Sequence, residues 1–234
     1  MQKIPLFTNS ELAQLLLASA SMGLIFFFWK WRKTDFDVAS GISFFIFSVL
    51  AVFLFVVIAR SVQKYVARKR GYLAVYQSSR TALGLTTVLS FFSFGALVVV
   101  APGQMELRHQ AAWRLGKFQY QLRYKDVAAV AFTGPLVHIM LAFVMHFFYV
   151  SKTATPVVYY LIFINLFIAM FALLPLPYFD GINVLMHSRM LYIFLLVFVI
   201  SFSLLVLLTN FFAFIIALLL AILFAGAFLF IFER

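Results

Sequence analysis

The sequence predicts an all-α polytopic membrane protein: six transmembrane helices, a re-entrant hairpin and a short amphipathic strand region, all in one membrane domain of residues 1–234. Three observations predict it. First, the 234 residues are 65% hydrophobic and only 11% charged, less than half the charge of a soluble domain, with a mean hydropathy of +1.08. A water-soluble globule of this length has too little interior for that much apolar surface. A disordered chain would be poor in aromatic residues, whereas 19% of this one is Phe, Trp or Tyr. Second, the charges fall in clusters, and the gaps between clusters are long enough to cross a hydrocarbon core of about 30 Å. Third, the 18 Lys and Arg outnumber the 7 Asp and Glu to give a formal net charge of +11, and in so apolar a chain that excess is first a topology signal. There is no cysteine, which excludes disulfides and thiolate metal sites.

The first span is 12–29, which Lys3 precedes and no cleavage site follows, so it reads as an anchor rather than a signal peptide. The second is 38–59, continuing as helix into the basic stretch that ends at Arg70. Four more follow at 127–150, 157–179, 190–208 and 211–232, the last two a hairpin turning at Thr209-Asn210. The segment 82–101 is uncharged but carries Gly84, Thr86, Thr87, Ser90, Ser93 and Gly95, and runs into Pro102-Gly103. Small and polar residues of this kind suit a re-entrant segment packed against protein. The basic residues agree. If 82–101 crosses, Lys and Arg divide 8 against 10. If it dips and returns, they divide 14 against 4, the four being Lys30, Arg32, Lys33 and Lys152. Only the second arrangement obeys the positive-inside rule, and it puts both termini in the cytoplasm of a multi-pass cell-membrane protein.

Two cytoplasmic features are expected. Lys64, Arg68, Lys69 and Arg70 form a basic collar facing lipid phosphates; no recognition motif points to nucleic acid. In 118–125, Phe118, Tyr120, Leu122 and Tyr124 alternate with polar residues at the period of a half-buried surface strand. Its edge either accepts an extended peptide or packs on the membrane surface.

Ionisable groups inside spans are costly and mark function. Here they are His138 and His146 in the third span and Asp180 at the end of the fourth. Asp180 follows Pro175 and Pro177, which break helical hydrogen bonding, and Gly181 comes directly after it. By itself Asp180 is either a turn residue or a ligand.

The motif ALLPLPYFDG at 172–181 resembles the fourth-helix signature of the site-2 protease family of intramembrane zinc metalloproteases, approximately asparagine-leucine-leucine-proline-x-proline-x-x-aspartate-glycine. FTGPLVH at 132–138, with Gly134 and Pro135, is similar to the family's alanine-glycine-proline-leucine-x-asparagine segment. Residues 83–107 resemble the glycine-rich hairpin of the archaeal branch, and 65–72 resemble the stretch just after its zinc-binding helix motif. The resemblance makes Asp180 the third zinc ligand. It also implies a helical H-E-x-x-H, whose histidines bind zinc and whose glutamate activates water. Counting back from Gly71 places that motif on Ala59, Arg60, Ser61, Val62 and Gln63. Both histidines and the glutamate are replaced, His138 stands where the family has asparagine, and no two of the four histidines are four residues apart. One carboxylate is too few for a zinc that takes three protein ligands and a water.

The expectation is therefore a catalytically degenerate, archaeal-type member with no cofactor, a pseudoprotease that binds or regulates a membrane-protein segment. Gly134, Pro135, His138, Pro175, Pro177, Asp180 and Gly181 are its vestigial site. Two placements of Arg60 stay open: an ion pair with Asp180 in the vacated site, or a snorkelling side chain with Asp180 capping a turn. Two other functions stay open as well. One is a rearranged zinc protease using Asp180 and His138, with His187 as a further candidate. The other is a small transporter or channel built on the broken helix and the re-entrant segment.

Overall fold

The computed structural model describes residues 6–32, 38–109, 122–150, 156–207 and 213–232. The chain is mostly helical. Among the described residues four helices are long and apolar enough to cross a membrane, at Asn9–Trp31, Ala39–Lys69, Tyr124–Tyr149 and Arg189–Val206.

Helix α1 (Asn9–Trp31) opens on a capping box: the Thr8 side chain accepts from the Glu11 amide while Glu11 Oε2 accepts from the Thr8 amide at 2.8 Å. Helix α2 (Val38–Lys69) ends at Gly71, whose φ of 82° is the left-handed stop that glycine adopts without strain. The two helices run antiparallel. Gly23 of α1 lies against the backbone of Val49, where an added Cβ would come within 2.7 Å, and Glu11 meets Lys64 at the other end of the crossing.

Strand β1 (Tyr72–Gln77) follows the Gly71 stop and pairs antiparallel with β2 (Gln104–His109), Tyr72 opposite His109 and Gln77 opposite Gln104. Inward Tyr72, Ala74 and Tyr76 alternate with partly exposed neighbours. Because Gln77 and Gln104 are partners, 78–103 leaves the sheet and comes back to the same place. Its outward limb is α3 (Arg80–Phe92), capped by Ser79. Phe94 and Gly95, with φ of 48° and 72°, reverse the chain, and the return limb is irregular up to Gly103. α3 runs parallel to α1. Ser21 Oγ lies 2.5 Å from Thr87 Oγ1, and Gly95 packs on the backbone of Phe28 and Trp29 so closely that a Cβ has no room.

Helix α4 (Tyr124–Val150) contains Pro135. Helix α5 (Pro156–Ala172) leads through a loop to the short α6 (Asp180–His187), then α7 (Arg189–Leu207) and α8 (Ala213–Phe232). Helices α4 and α5 join two cores. One holds Leu15, Met22, Phe26, Val52, Val56 and Ile164 around α1, α2 and the sheet. The other holds Ile139, Leu166, Phe198, Phe202 and Ala217 among α4, α5, α7 and α8.

Three expectations need correction. The fourth apolar run stops being helical at Ala172, not Phe179: Pro175 has no amide to give and its ring clashes one turn back. Of the expected strand at 118–125, residues 118–121 lie outside the described residues, and Tyr124 and Lys125 open α4. The strands stand instead at 72–77 and 104–109. Finally, Lys64 does not face lipid. It is buried under the Phe7 ring, with Nζ 2.5 Å from Glu11 Oε1, and the same carboxylate oxygen accepts the Tyr76 amide at 2.8 Å. A buried charge with a partner at hand is held by it rather than by solvent.

Glu11 thus caps the start of α1, neutralises Lys64 of α2 and fixes β1. Replacing it, Glu11→Ala, strands a buried ammonium and is expected to destabilise the protein by about 3 kcal/mol in denaturant unfolding in micelles. Glu11→Met with Lys64→Met should recover most of that loss.

Candidate functional site

One face of α2 carries Arg60, Gln63 and Lys64, positions that a helix stacks on one side. Arg60 and Gln63 point to where the base of the 78–103 hairpin, α4 and the start of α6 converge. Each of those elements reaches the point for a local reason. Gly103, at φ 75°, turns the return limb into β2 with no space for a Cβ, which would meet Gln77 O at 2.6 Å. Gly134 lets α4 approach: a Cβ there would lie 2.5 Å from Gln63 Nε2 and 3.0 Å from Asp180 Oδ2. Gly181 lies directly beneath the carbonyls of Leu173 and Leu174, again without room for a side chain. The loop 173–179 can therefore fold back over α6 and deliver Asp180, the first residue of that helix, into the interior.

The Arg60 guanidinium is buried and uses both terminal nitrogens. Nη1 donates to Asp180 Oδ2 at 2.8 Å and Gln63 Oε1 at 2.6 Å. Nη2 donates to the carbonyls of Pro102 at 2.9 Å and Gly103 at 2.8 Å. The Tyr76 ring lies 5.3 Å from its central carbon, within cation–π range. Gln63 Nε2 bridges onward, to Asp180 Oδ2 at 3.2 Å and the Val130 carbonyl of α4 at 3.1 Å. The Tyr76 hydroxyl donates to Pro102 O at 2.9 Å. Burial pushes that phenol up to about 12, so it stays a donor at any ordinary pH. Two polar atoms of the cluster, Arg60 Nε and Asp180 Oδ1, have no hydrogen bond of ordinary geometry, although the Met105 amide dipole acts on Asp180.

The structure thus brings Arg60, Gln63, Asp180 and Gly134 together. Ala59 is buried beside them on α2. Pro135 follows Gly134 inside α4, while Pro175 and Pro177 are exposed on the 173–179 loop. His138 stands one turn beyond Gly134, buried, with Nδ1 2.9 Å from Asn165 Oδ1 of α5 and no hydrogen bond to Asp180. His146 lies about 12 Å further along α4. His187 is exposed at the far end of α6. Among the described residues no group of three His, Cys, Asp or Glu is placed to hold a metal ion. Sequence reasoning passes over Glu11, Tyr76, Asn165 and the carbonyls of Pro102 and Gly103. Only Glu11 leaves a signal, as the last residue of the Thr8–Glu11 capping box.

The apolar helices describe a membrane protein whose interior is tied together by a buried ion pair. Comparison with known proteins sharpens the class. The chain is 28% identical, over 183 residues, to a Methanocaldococcus jannaschii protein named "Putative zinc metalloprotease MJ0611". The match covers 76% of this chain and 85% of that protein. No family model matches, and no solved structure matches.

The closeness of Gly134 to this cluster is testable. Gly134→Ala should push Gln63 aside and destabilise the protein by about 1–3 kcal/mol in thermal or denaturant unfolding. Removing the obstructed side chain as well, in Gly134→Ala with Gln63→Ala, should cost less than the two single changes added together.

Proposed function

We propose that this chain is a site-2-protease-like protein of the archaeal type that has exchanged its metal for an ion pair, and that it binds membrane-protein segments rather than cutting them. The observation that carries the reading is Arg60. It stands where the resembled family has its glutamate base, and its guanidinium is spent on Asp180, Gln63, Pro102 and Gly103. The donors do not fit zinc. The histidine positions are Ala59 and Gln63, and the one carboxylate already holds a cation. The similarity to a protein named as a zinc metalloprotease supports the scaffold. The donor set argues against the chemistry.

The membrane placement belongs to the same proposal: six spans, both termini cytoplasmic, and 78–103 re-entrant. From Glu11, beside the sheet, to Phe28, beside the hairpin tip, α1 rises about 26 Å, most of a hydrocarbon core of about 30 Å. The 13-residue α3 is about 20 Å long, and seven extended residues return about 23 Å. The limbs match, and the hairpin fills one leaflet and most of the second. On α2, Val38 to Arg60 is about 33 Å, so Arg60 lies at the cytoplasmic edge of the bilayer. The partners in this reading are lipid and an extended or transmembrane segment of another protein.

Metal analysis tests it. The purified protein is expected to hold far less than one zinc per chain. The triple change Ala59→His, Arg60→Glu and Gln63→His, which rebuilds three ligands with Asp180, should raise that to about one. Stoichiometric zinc in the parent, lost on Asp180→Ala, would overturn the proposal in favour of a rearranged protease.

A further inference from the structure

The outward limb of the 78–103 hairpin is thinly held. α3 buries only Leu83, Thr86 and Ser90, while Leu85, Val88, Leu89, Phe91 and Phe92 on its remaining faces are exposed. Ser90 Oγ has no hydrogen-bond partner. Beyond Gln14 at the hairpin's base, which accepts from the Ser78 amide, side-chain bonding to α1 is made by Ser21, which meets Thr87 Oγ1 and the Leu83 carbonyl. An element with so few buried apolar contacts belongs to the least stable part of a fold. In lipid the exposed face gives no reason to stay in place, because acyl chains solvate it equally well elsewhere.

The base of the return limb is held quite differently. The carbonyls of Pro102 and Gly103 face one guanidinium nitrogen, and the Tyr76 hydroxyl also bonds to Pro102. Arg60 is itself fixed from the other side by Asp180 and Gln63. Its planar fork serves two directions at once: Nη1 faces α6 and its own helix, and Nη2 faces the hairpin.

We infer that Arg60 is a latch, and that 78–103 is a lid hinged at the β1–β2 sheet whose base this latch holds closed beside the Asp180 cluster. The two-stranded ladder is the hinge, because it stays paired while the limbs beyond Gln77 and Gln104 swing. Opening breaks the two Nη2 bonds, the Tyr76–Pro102 bond and the hairpin's contacts with Gln14, Ser21 and Phe28 of α1. It leaves the Arg60–Asp180 bond whole, so no buried charge loses its partner. This inference goes beyond the proposed function and stands on the hydrogen bonds whether or not the chain ever binds zinc.

The absence of native cysteine makes the test clean. Ser21→Cys with Thr87→Cys places a thiol pair where the lid touches α1, and the rate of oxidative disulfide formation in membranes reads its closure. Two latch variants are compared on that background. Arg60→Lys keeps the charge beside Asp180 but loses the fork. Gly103→Ala leaves Arg60 alone and displaces the carbonyl it holds. Both are expected to slow disulfide formation about fivefold or more, the scale of one or two lost hydrogen bonds, while the protein still unfolds in micelles in one cooperative transition. An unchanged rate in both variants would overturn the latch. So would a slowed rate that appears only with collapse of the unfolding transition, since Arg60 would then support the whole fold rather than the lid.

Discussion

Everything around the cluster depends on one buried guanidinium. Arg60 is a cation that water does not reach, and such a charge persists only when a counter-ion and acceptors surround it. Asp180 supplies the counter-charge, Gln63 and two backbone carbonyls the acceptors, and Tyr76 a π face. Each partner comes from a different part of the chain, so satisfying one side chain requires the base of the hairpin, β1 and the start of α6 to be in place together. Through Gln63 the same demand reaches α4. The glycines follow from it: positions 103, 134 and 181 are where backbone must come within reach of the cluster, or fold over it, and no Cβ fits.

A second pair repeats the logic one turn along α2. Lys64 and Glu11 neutralise each other, and Glu11 also accepts from the backbone of β1 and caps the start of α1. Side by side, the two pairs bring α1, α2, β1, the hairpin base and α6 to one level. Neither pair leaves a net charge behind. That matters in a low-dielectric interior, where an uncompensated ion costs several kcal/mol. The exposed Arg70–Asp126 pair at the end of α2 is of another kind: solvent screens it, and it contributes little.

The cluster also joins separate elements of the chain through one side chain. A metal ion joins ligands from separate helices through several bonds at once. A guanidinium is the side chain closest to that ability, with five donors in a rigid plane. Arg60 and Asp180 are thus complementary, and the glycines beside them, Gly134 of α4 and Gly181 of α6, serve backbone approach.

How much of this the sequence carries is clear from particular residues. Apolar runs, clustered charges and helix stops are local properties, so the long apolar helices, the Gly71 stop and the proline break after α5 are readable from order alone. The Arg60 and Asp180 positions are readable too, but only as a choice between pairing and solvent exposure. Choosing requires knowing that residues 120 apart in the chain meet at 2.8 Å. The strands escape notice because YLAVYQ and QMELRH are each too short to stand out, and pairing defines them. Lys64 reads as a surface lysine because nothing in its neighbourhood along the chain reveals Glu11, 53 residues earlier. By itself the sequence determined an apolar, helical chain whose longest uncharged runs are membrane spans. The tertiary structure decided which charges are buried and what each one holds, because hydrogen bonds and ion pairs depend on distance in space, and distance along the chain does not report it.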